Sequence, residues 1–330
     1  MKNFVLTRET PMLRAARERK KGFIPILEVL IFLAVFIAAS TVEGIPTGII
    51  AGIHTGKTMI ADPSIIDNAL ALLAAGDIPG FADLVSELVA RLPSWIMILN
   101  LFAGVLLTVV VILFCRVIQK RSLYSMGLGK RRAVTEYLLG TAVGIVMISA
   151  TALLGVAFGA IKLSFTKFNA GLFILFMLGY FFQGMSEEVL CRGYLMISIT
   201  RRNKVWRAVL VSSLVFSLLH VFNPGFGILP FVNILLCGAV FGVYALKRNS
   251  LWGACAMHSF WNFFQGNFFG ISVSGTGAGE NASVMHAEML DAPKLLTGGD
   301  FGIEGSIATT IVMVAALLIV LFVLPQRKEA

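Results

Sequence analysis

Eight apolar stretches constrain this chain more than any other feature, each near or above the roughly 20 residues a helix needs to cross a bilayer. They fall at about 23–42, 95–118, 136–160, 170–197, 206–222, 228–246, 251–271 and 303–325. In lipid every backbone N–H and C=O must find its partner within the protein, so such a chain is expected to be an all-α, polytopic membrane protein. Composition agrees where it is needed. Only 14% of the 330 residues are charged, well short of the roughly 25% of soluble domains, which excludes an ordinary cytosolic enzyme. The first stretch ends in Ala38, Ala39 and Ser40, as a cleavable signal would. Its charged lead-in of about 22 residues is too long for a signal peptide, and a retained anchor is expected.

The charges orient the spans. With the N-terminus in the cytoplasm, twenty-one of the 27 Lys and Arg fall on inside segments. They run from Lys2 to Lys21, from Arg116 to Arg132, from Arg201 to Arg207, then Lys247, Arg248, Arg327 and Lys328. Outside lie only Lys57, Arg91, Lys162, Lys167 and Lys294. That asymmetry follows the positive-inside rule and places both termini in the cytoplasm. The net charge of +9 therefore reports orientation, and no nucleic-acid partner is expected. We read residues 1–330 as a single integral membrane domain with extracytoplasmic loops at 43–94 and 272–302. Within the first loop, residues 64–91 carry apolar positions at near-helical spacing, and one or two amphipathic surface helices are expected there.

Glu187, Glu188 and Arg192 interrupt the fourth span. A charge at the bilayer centre costs about 2.5–3.5 kcal/mol even on lenient scales, so three together must pair or face a polar cavity. Glu188 and Arg192 are four apart and share a helix face, whereas Glu187 has no obvious local partner. The plain structural alternative is a helix-pinning ion pair with a hydrogen-bonded neighbour. Glu28, near the start of the first span, is expected to reach the interface. His220 closes the fifth span, and His258 and Asn262 lie four apart in the seventh. Measured from the basic end of each helix, Glu187, His220, His258 and Asn262 sit about 21, 20, 15 and 21 Å deep. Three spans thus bring a carboxylate, two imidazoles and an amide to one slab of the membrane.

A carboxylate and a histidine can deprotonate a water molecule. A second histidine and an amide can donate hydrogen bonds to an oxyanion. The set suits amide hydrolysis, and it equally offers Glu187, His220 and His258 as zinc ligands with an open position. Other protease chemistries lack their motifs: there is no HExxH, and Gly184-Met185-Ser186-Glu187-Glu188 has Glu where GxSxG needs its second Gly. The four cysteines lie in or at the ends of apolar stretches and form no metal motif.

These residues resemble a known family. Glu187-Glu188-Val189-Leu190-Cys191-Arg192 is similar to its EExxxR motif, Phe216 to His220 to its FxxxH motif, and His258 to Asn262 to its HxxxN motif, in the right order on successive helices. The family is CPBP, the CAAX proteases and bacteriocin-processing enzymes, also called the Abi or CAAX prenyl protease 2-like family. The stretch from Gly238 to Asn262 and the Met126-Gly127-Leu128 segment share its flavour, so the resemblance covers about 120–271, the protease-like core. It implies a helical intramembrane endopeptidase. Glu187 would activate water with His220, His258 and Asn262 would stabilise the oxyanion, and Glu188, Arg192 and Phe216 would support the site. Metalloprotease and metal-free glutamate mechanisms are both attributed to the family. We expect no cofactor, with one zinc ion as the alternative.

The expected substrate is a peptide or membrane protein, with CAAX-type or bacteriocin-type processing as the family's range. The expected location is a bacterial cytoplasmic membrane. Two other classes compete: a non-catalytic scaffold or immunity protein using the same cavity, and a proton-coupled transporter, since buried Glu and His also build relays.

Overall fold

In the computed structural model, the described residues are 9–18, 22–167, 169–276 and 282–327. Lys2, Arg8, Arg19, Lys20, Lys21 and Lys328 of the inside tally lie outside them. The chain begins with α1 (Pro11–Arg17), α2 (Pro25–Ala61), α3 (Ser64–Ala74), α4 (Ile78–Ala90) and α5 (Ser94–Leu113). It continues through α6 (Ala133–Ala157), β1 (Ile161–Phe165), α7 (Ala170–Glu188), α8 (Ile197–Thr200) and α9 (Val205–Leu218). It ends with α10 (Ile228–Arg248), α11 (Trp252–Phe263), β2 (Met285–Met289), α12 (Lys294–Thr297) and α13 (Ile307–Leu318). Wider π-helical turns extend α5, α7, α11 and α13, over Phe114–Ile118, Val189–Met196, Phe264–Phe268 and Ile319–Val323.

Among the described residues, five helices are long and apolar enough to cross a membrane: Pro25–Ala61, Ser94–Ile118, Ala133–Ala157, Ala170–Thr200 and Ile228–Arg248. Large apolar side chains point outward along them, including Ile37, Ile45 and Ile53 of α2 and Leu138, Val146 and Leu153 of α6. A surface of this kind is stable only against lipid or another apolar partner. The protein is an integral membrane protein. The other three expected spans are shorter helices. α9 has 14 residues, about 21 Å of rise. α11 and α13 have 12 residues each before their π turns.

The structure corrects the end of the first span and adds detail elsewhere. The first span does not stop at residue 42: α2 runs on for 37 residues, about 55 Å. The apolar run through Ile45, Ile49 and Ile53 sustains the helix past Pro46, which lies within it. Residues 43–94 are therefore largely helical, with α3 and α4 as the two surface helices. The segment 272–302 contains β2, which pairs antiparallel with β1 in the register Ile161 to Met289 and Phe165 to Met285. Glu28, in the first turn of α2, is buried within the protein, and its Oε1 accepts a hydrogen bond from the Phe23 backbone N–H.

Local chemistry sets the boundaries. Asn169 caps α7 by accepting from the Leu172 N–H at 3.1 Å, as N-cap side chains do. α10 ends at Asn249 in the left-handed conformation, φ 52°, a common helix stop. α11 is the central helix, packed against α6, α7 and α10. Its approach depends on small residues. A Cβ at Gly144 of α6 would lie 2.6 Å from the Met257 carbonyl oxygen, and one at Gly184 of α7 would lie 2.7 Å from the Ser259 nitrogen. Glycine lets the backbones come this close, as in small-xxx-small membrane packing.

The basic end of the bundle is pinned rather than merely solvated. Buried Arg121 donates to the Gly193 carbonyl at 2.8 Å and to Ser198 Oγ at 3.1 Å. Burial pushes its pKa down to about 10, which leaves it charged at neutral pH. Glu136 accepts from Arg248 Nε and Nη2 at 2.9 and 2.8 Å and from Arg327 Nη1 at 2.6 Å. Lys247 Nζ donates to the Leu321 and Leu324 carbonyls, both at 2.8 Å, closing the end of the last helix. The Arg327 N–H donates back to the Lys247 carbonyl. Near the other terminus, the Met12 N–H donates to Asn249 Oδ1 at 2.8 Å.

Candidate active site

The acids of EExxxR leave α7 where it widens into the π turn Val189–Met196. Such turns recur at functional sites because they re-aim side chains. Arg192 Nη1 donates to Glu188 Oε1 at 2.7 Å, with both side chains fully buried. The guanidinium lies 4.2 Å from the centre of the Phe216 ring and 5.8 Å from that of Phe241. Two aromatic faces and a carboxylate therefore share one cation, which is how a desolvated charge becomes tolerable. Ser212 of α9 ties this turn to its neighbour by donating to the Cys191 carbonyl at 2.8 Å.

Glu188 reaches a second partner. His258 Nδ1 donates to Glu188 Oε1 at 3.0 Å. That bond fixes the ring and turns Nε2 toward Glu187, whose Oε2 lies 3.7 Å away. Arg192, Glu188, His258 and Glu187 thus form one chain of ionisable groups running from the core to a cavity. Glu187 also accepts from Gln183 Nε2 through Oε1. Gln183 Oε1 in turn accepts from Asn262 Nδ2 at 3.0 Å. The amide of α11 is therefore held by α7.

His220 is not on a helix, because α9 ends at Leu218 and the chain turns. Its N–H donates to the Ser217 carbonyl, and ring Nδ1 donates to the Phe216 carbonyl at 2.8 Å. With Nδ1 committed, Nε2 is the nitrogen open for chemistry. Ser217 Oγ donates to the Phe231 carbonyl at 2.7 Å, fixing the end of α9 against α10. The Phe216 ring meets His220 edge-on at 4.9 Å between centroids and His258 at 5.8 Å.

Glu187, His220, His258 and Asn262 line a single cavity of about 270 Å³. A second cavity of about 290 Å³ shares Glu187 and His220. Three further residues belong to the site and escaped sequence reasoning. Gln183 lies one turn before Glu187, a polar residue in an apolar run, and that spacing was a usable signal. Glu43 of α2 lines both cavities. Glu304 carries its carboxylate to the first, where Oε1 accepts from Trp261 Nε1 and Oε2 from the Ser274 N–H and hydroxyl. No local pattern announced either of these acids.

The donor set was also weighed for a metal. Glu187 and His258 approach each other, yet among the described residues no three His, Cys, Asp or Glu side chains cluster closely enough to hold one. Glu187, His220 and His258, the alternative zinc set, are not among such a group, and no step is routed through a metal.

A search of curated proteins and a search of solved structures return no match for this chain. Residues 168–264 match the family model described as Type II CAAX prenyl endopeptidase Rce1-like. The match takes in α7, the π turn, α9, α10 and α11, and with them all three motifs. Over that segment, which contributes Glu187, His220, His258 and Asn262 to the cavity, the chain is similar to the CAAX-type membrane endopeptidases that the family model describes.

Proposed function

We propose that the protein is an intramembrane endopeptidase that hydrolyses a peptide bond with water activated by Glu187 and His220, without a bound metal. The observation that carries this is the convergence of Glu187, His220, His258 and Asn262 on one cavity from α7, the end of α9 and α11. Glu187 takes a proton from water as the oxygen attacks the scissile carbonyl carbon. His220, through Nε2, holds and polarises that water. The carbonyl oxygen becomes an oxyanion, which accepts from the Asn262 amide and from His258 Nε2–H. As an imidazolium, His258 donates at both nitrogens, to Glu188 and to the oxyanion. The proton held by Glu187 then passes to the amide nitrogen as the C–N bond breaks, leaving a carboxylic acid and an amine, between which the acid proton moves to give carboxylate and ammonium. Glu188 and Arg192 position His258, much as a buried carboxylate orients the imidazole of other hydrolytic sites.

The basic end of the bundle, with Arg121, Lys247, Arg248 and Arg327, favours an inside placement and cytoplasmic termini. We place the protein in a bacterial cytoplasmic membrane, acting on a peptide or membrane-protein substrate. The test is cleavage of a peptide pool by detergent-purified protein, read by mass spectrometry. Wild type is expected to release defined fragments, and Glu187→Gln and His220→Ala to lose about 10²-fold or more. Equal cleavage by both variants would refute the assignment. Elemental analysis is expected to show no stoichiometric zinc. One zinc per chain, with activity lost to chelator and restored by the metal, would overturn the metal-free mechanism.

A further inference from the structure

The two cavities share Glu43, Gln183, Glu187, Phe216, His220 and Asn223, so the reacting groups sit at the junction of two chambers. The first continues past Asn233, Ser274 and Thr276 and is mostly polar. The second is walled by Phe36 and Leu107, Leu190 and Leu219. Neither lining contains a Lys or Arg. Three carboxylates face this space, and two are already engaged. Glu187 is held by Gln183 and faces His258, and Glu304 is saturated by Trp261 and Ser274.

Glu43 is the exception. It is half-buried on α2, across the cavity from α7, and among the described residues it makes no hydrogen bond or ion pair. A carboxylate at this depth is costly without a counter-charge. The described residues supply Arg192 for Glu188, Trp261 and Ser274 for Glu304, and no hydrogen-bond or ion-pair partner for Glu43. α2 also lies outside the family match at 168–264, so Glu43 reaches the site from a part of the chain the match does not cover.

Building on the endopeptidase reading, we propose that Glu43 is a specificity residue: its carboxylate, at the junction of the two cavities, takes the Lys or Arg side chain of a substrate peptide next to the scissile bond. The occupant brings the missing cation into a space already free of competing ones. A substrate carboxylate at the same position would meet Glu43, Glu187 and Glu304 and be repelled.

The test uses N-acetylated, internally quenched peptides that differ at one position flanking the cleaved bond: Lys, norleucine or Glu. The full-length protein in detergent should prefer Lys over norleucine by about tenfold or more in kcat/KM, as close charge pairs at interfaces do. Glu43→Gln should bring that ratio near one, and Glu43→Lys should reverse the order in favour of the Glu peptide. A merely structural role for Glu43 would lower all three rates together and would not invert their order. An unchanged ratio in Glu43→Gln overturns the proposal. So does a preference seen only with unacetylated peptides, which would assign the carboxylate to an N-terminal amine. Binding of the same peptides to Glu187→Gln protein, read by fluorescence anisotropy, separates the two layers. If no peptide is cleaved but Lys binding still depends on Glu43, the hydrolytic reading fails and the specificity site stands. If binding ignores the Lys-to-norleucine change, the specificity site fails whatever happens to cleavage.

Discussion

Replacing Arg192 by methionine keeps much of the side chain's bulk and removes its charge, leaving Glu188 fully buried with only His258 to answer it. The attraction lost is large. At 2.7 Å, Coulomb's law with an effective dielectric of 20 gives about 6 kcal/mol. Desolvation has already consumed part of that, and breaking a buried pair from one side usually costs about 3–5 kcal/mol. The contact with the Phe216 ring adds on the order of 2 kcal/mol for a desolvated guanidinium, part of which the thioether recovers by packing. Arg192→Met is therefore expected to destabilise the fold by about 3–5 kcal/mol. Glu188→Gln should cost a similar amount, because it strands the cation. The double variant leaves no lone charge, and it should cost less than the two singles summed by about 2 kcal/mol or more. Reversible unfolding measured by SDS mole-fraction titration from detergent micelles, followed by tryptophan fluorescence, completes the cycle. Additivity within about 0.5 kcal/mol would refute the coupling and with it the claim that the pair positions His258.

Three further outcomes follow from the same packing and hydrogen bonds. Gly144→Val should push α11 off α6, because even the first added carbon meets the Met257 carbonyl oxygen at 2.6 Å; thermal stability in detergent should drop and activity should fall with it. Asn262→Ala should lower kcat by about 10²–10³ with circular dichroism unchanged, since among the described residues the lost amide hydrogen-bonds only to Gln183. Truncation after Leu324 removes Arg327 from Glu136; it should cost about 1–3 kcal/mol in the same SDS titration, with cleavage at low temperature retained.

How much of this was readable beforehand depends on the distance over which each contact is set. Glu188 with Arg192, and His258 with Asn262, are partners or neighbours within one helix, so a period of 3.6 residues exposed them. The polar slab was readable because depth is counted from a basic anchor at a fixed rise per residue. The meeting of His258 with Glu188 was not, because it depends on how α11 rotates against α7, and that rotation is set by Gly184 and Ser259. Glu43 was missed for a different reason. Counting the first span as ended at residue 42 moves an inward acid into an outside loop, although the helix continues through Pro46. The ribbon escaped notice too. Ile161-Lys162-Leu163-Ser164-Phe165 does alternate, but five residues between two membrane helices read as a connection until the partner strand is known.

The end of α10, with its cap Asn249, carries a consequence for handling the molecule. Lys247, Arg248 and Asn249 hold the C-terminal segment, the Glu136 clamp and the N-terminal helix α1, respectively. Nine residues later the same strand of chain delivers His258. Tension applied between the two ends, by optical tweezers or by an immobilising tag at each terminus, therefore converges on the segment that aims the imidazole. The first yielding event under load should silence catalysis while α7 and its carboxylates are still folded.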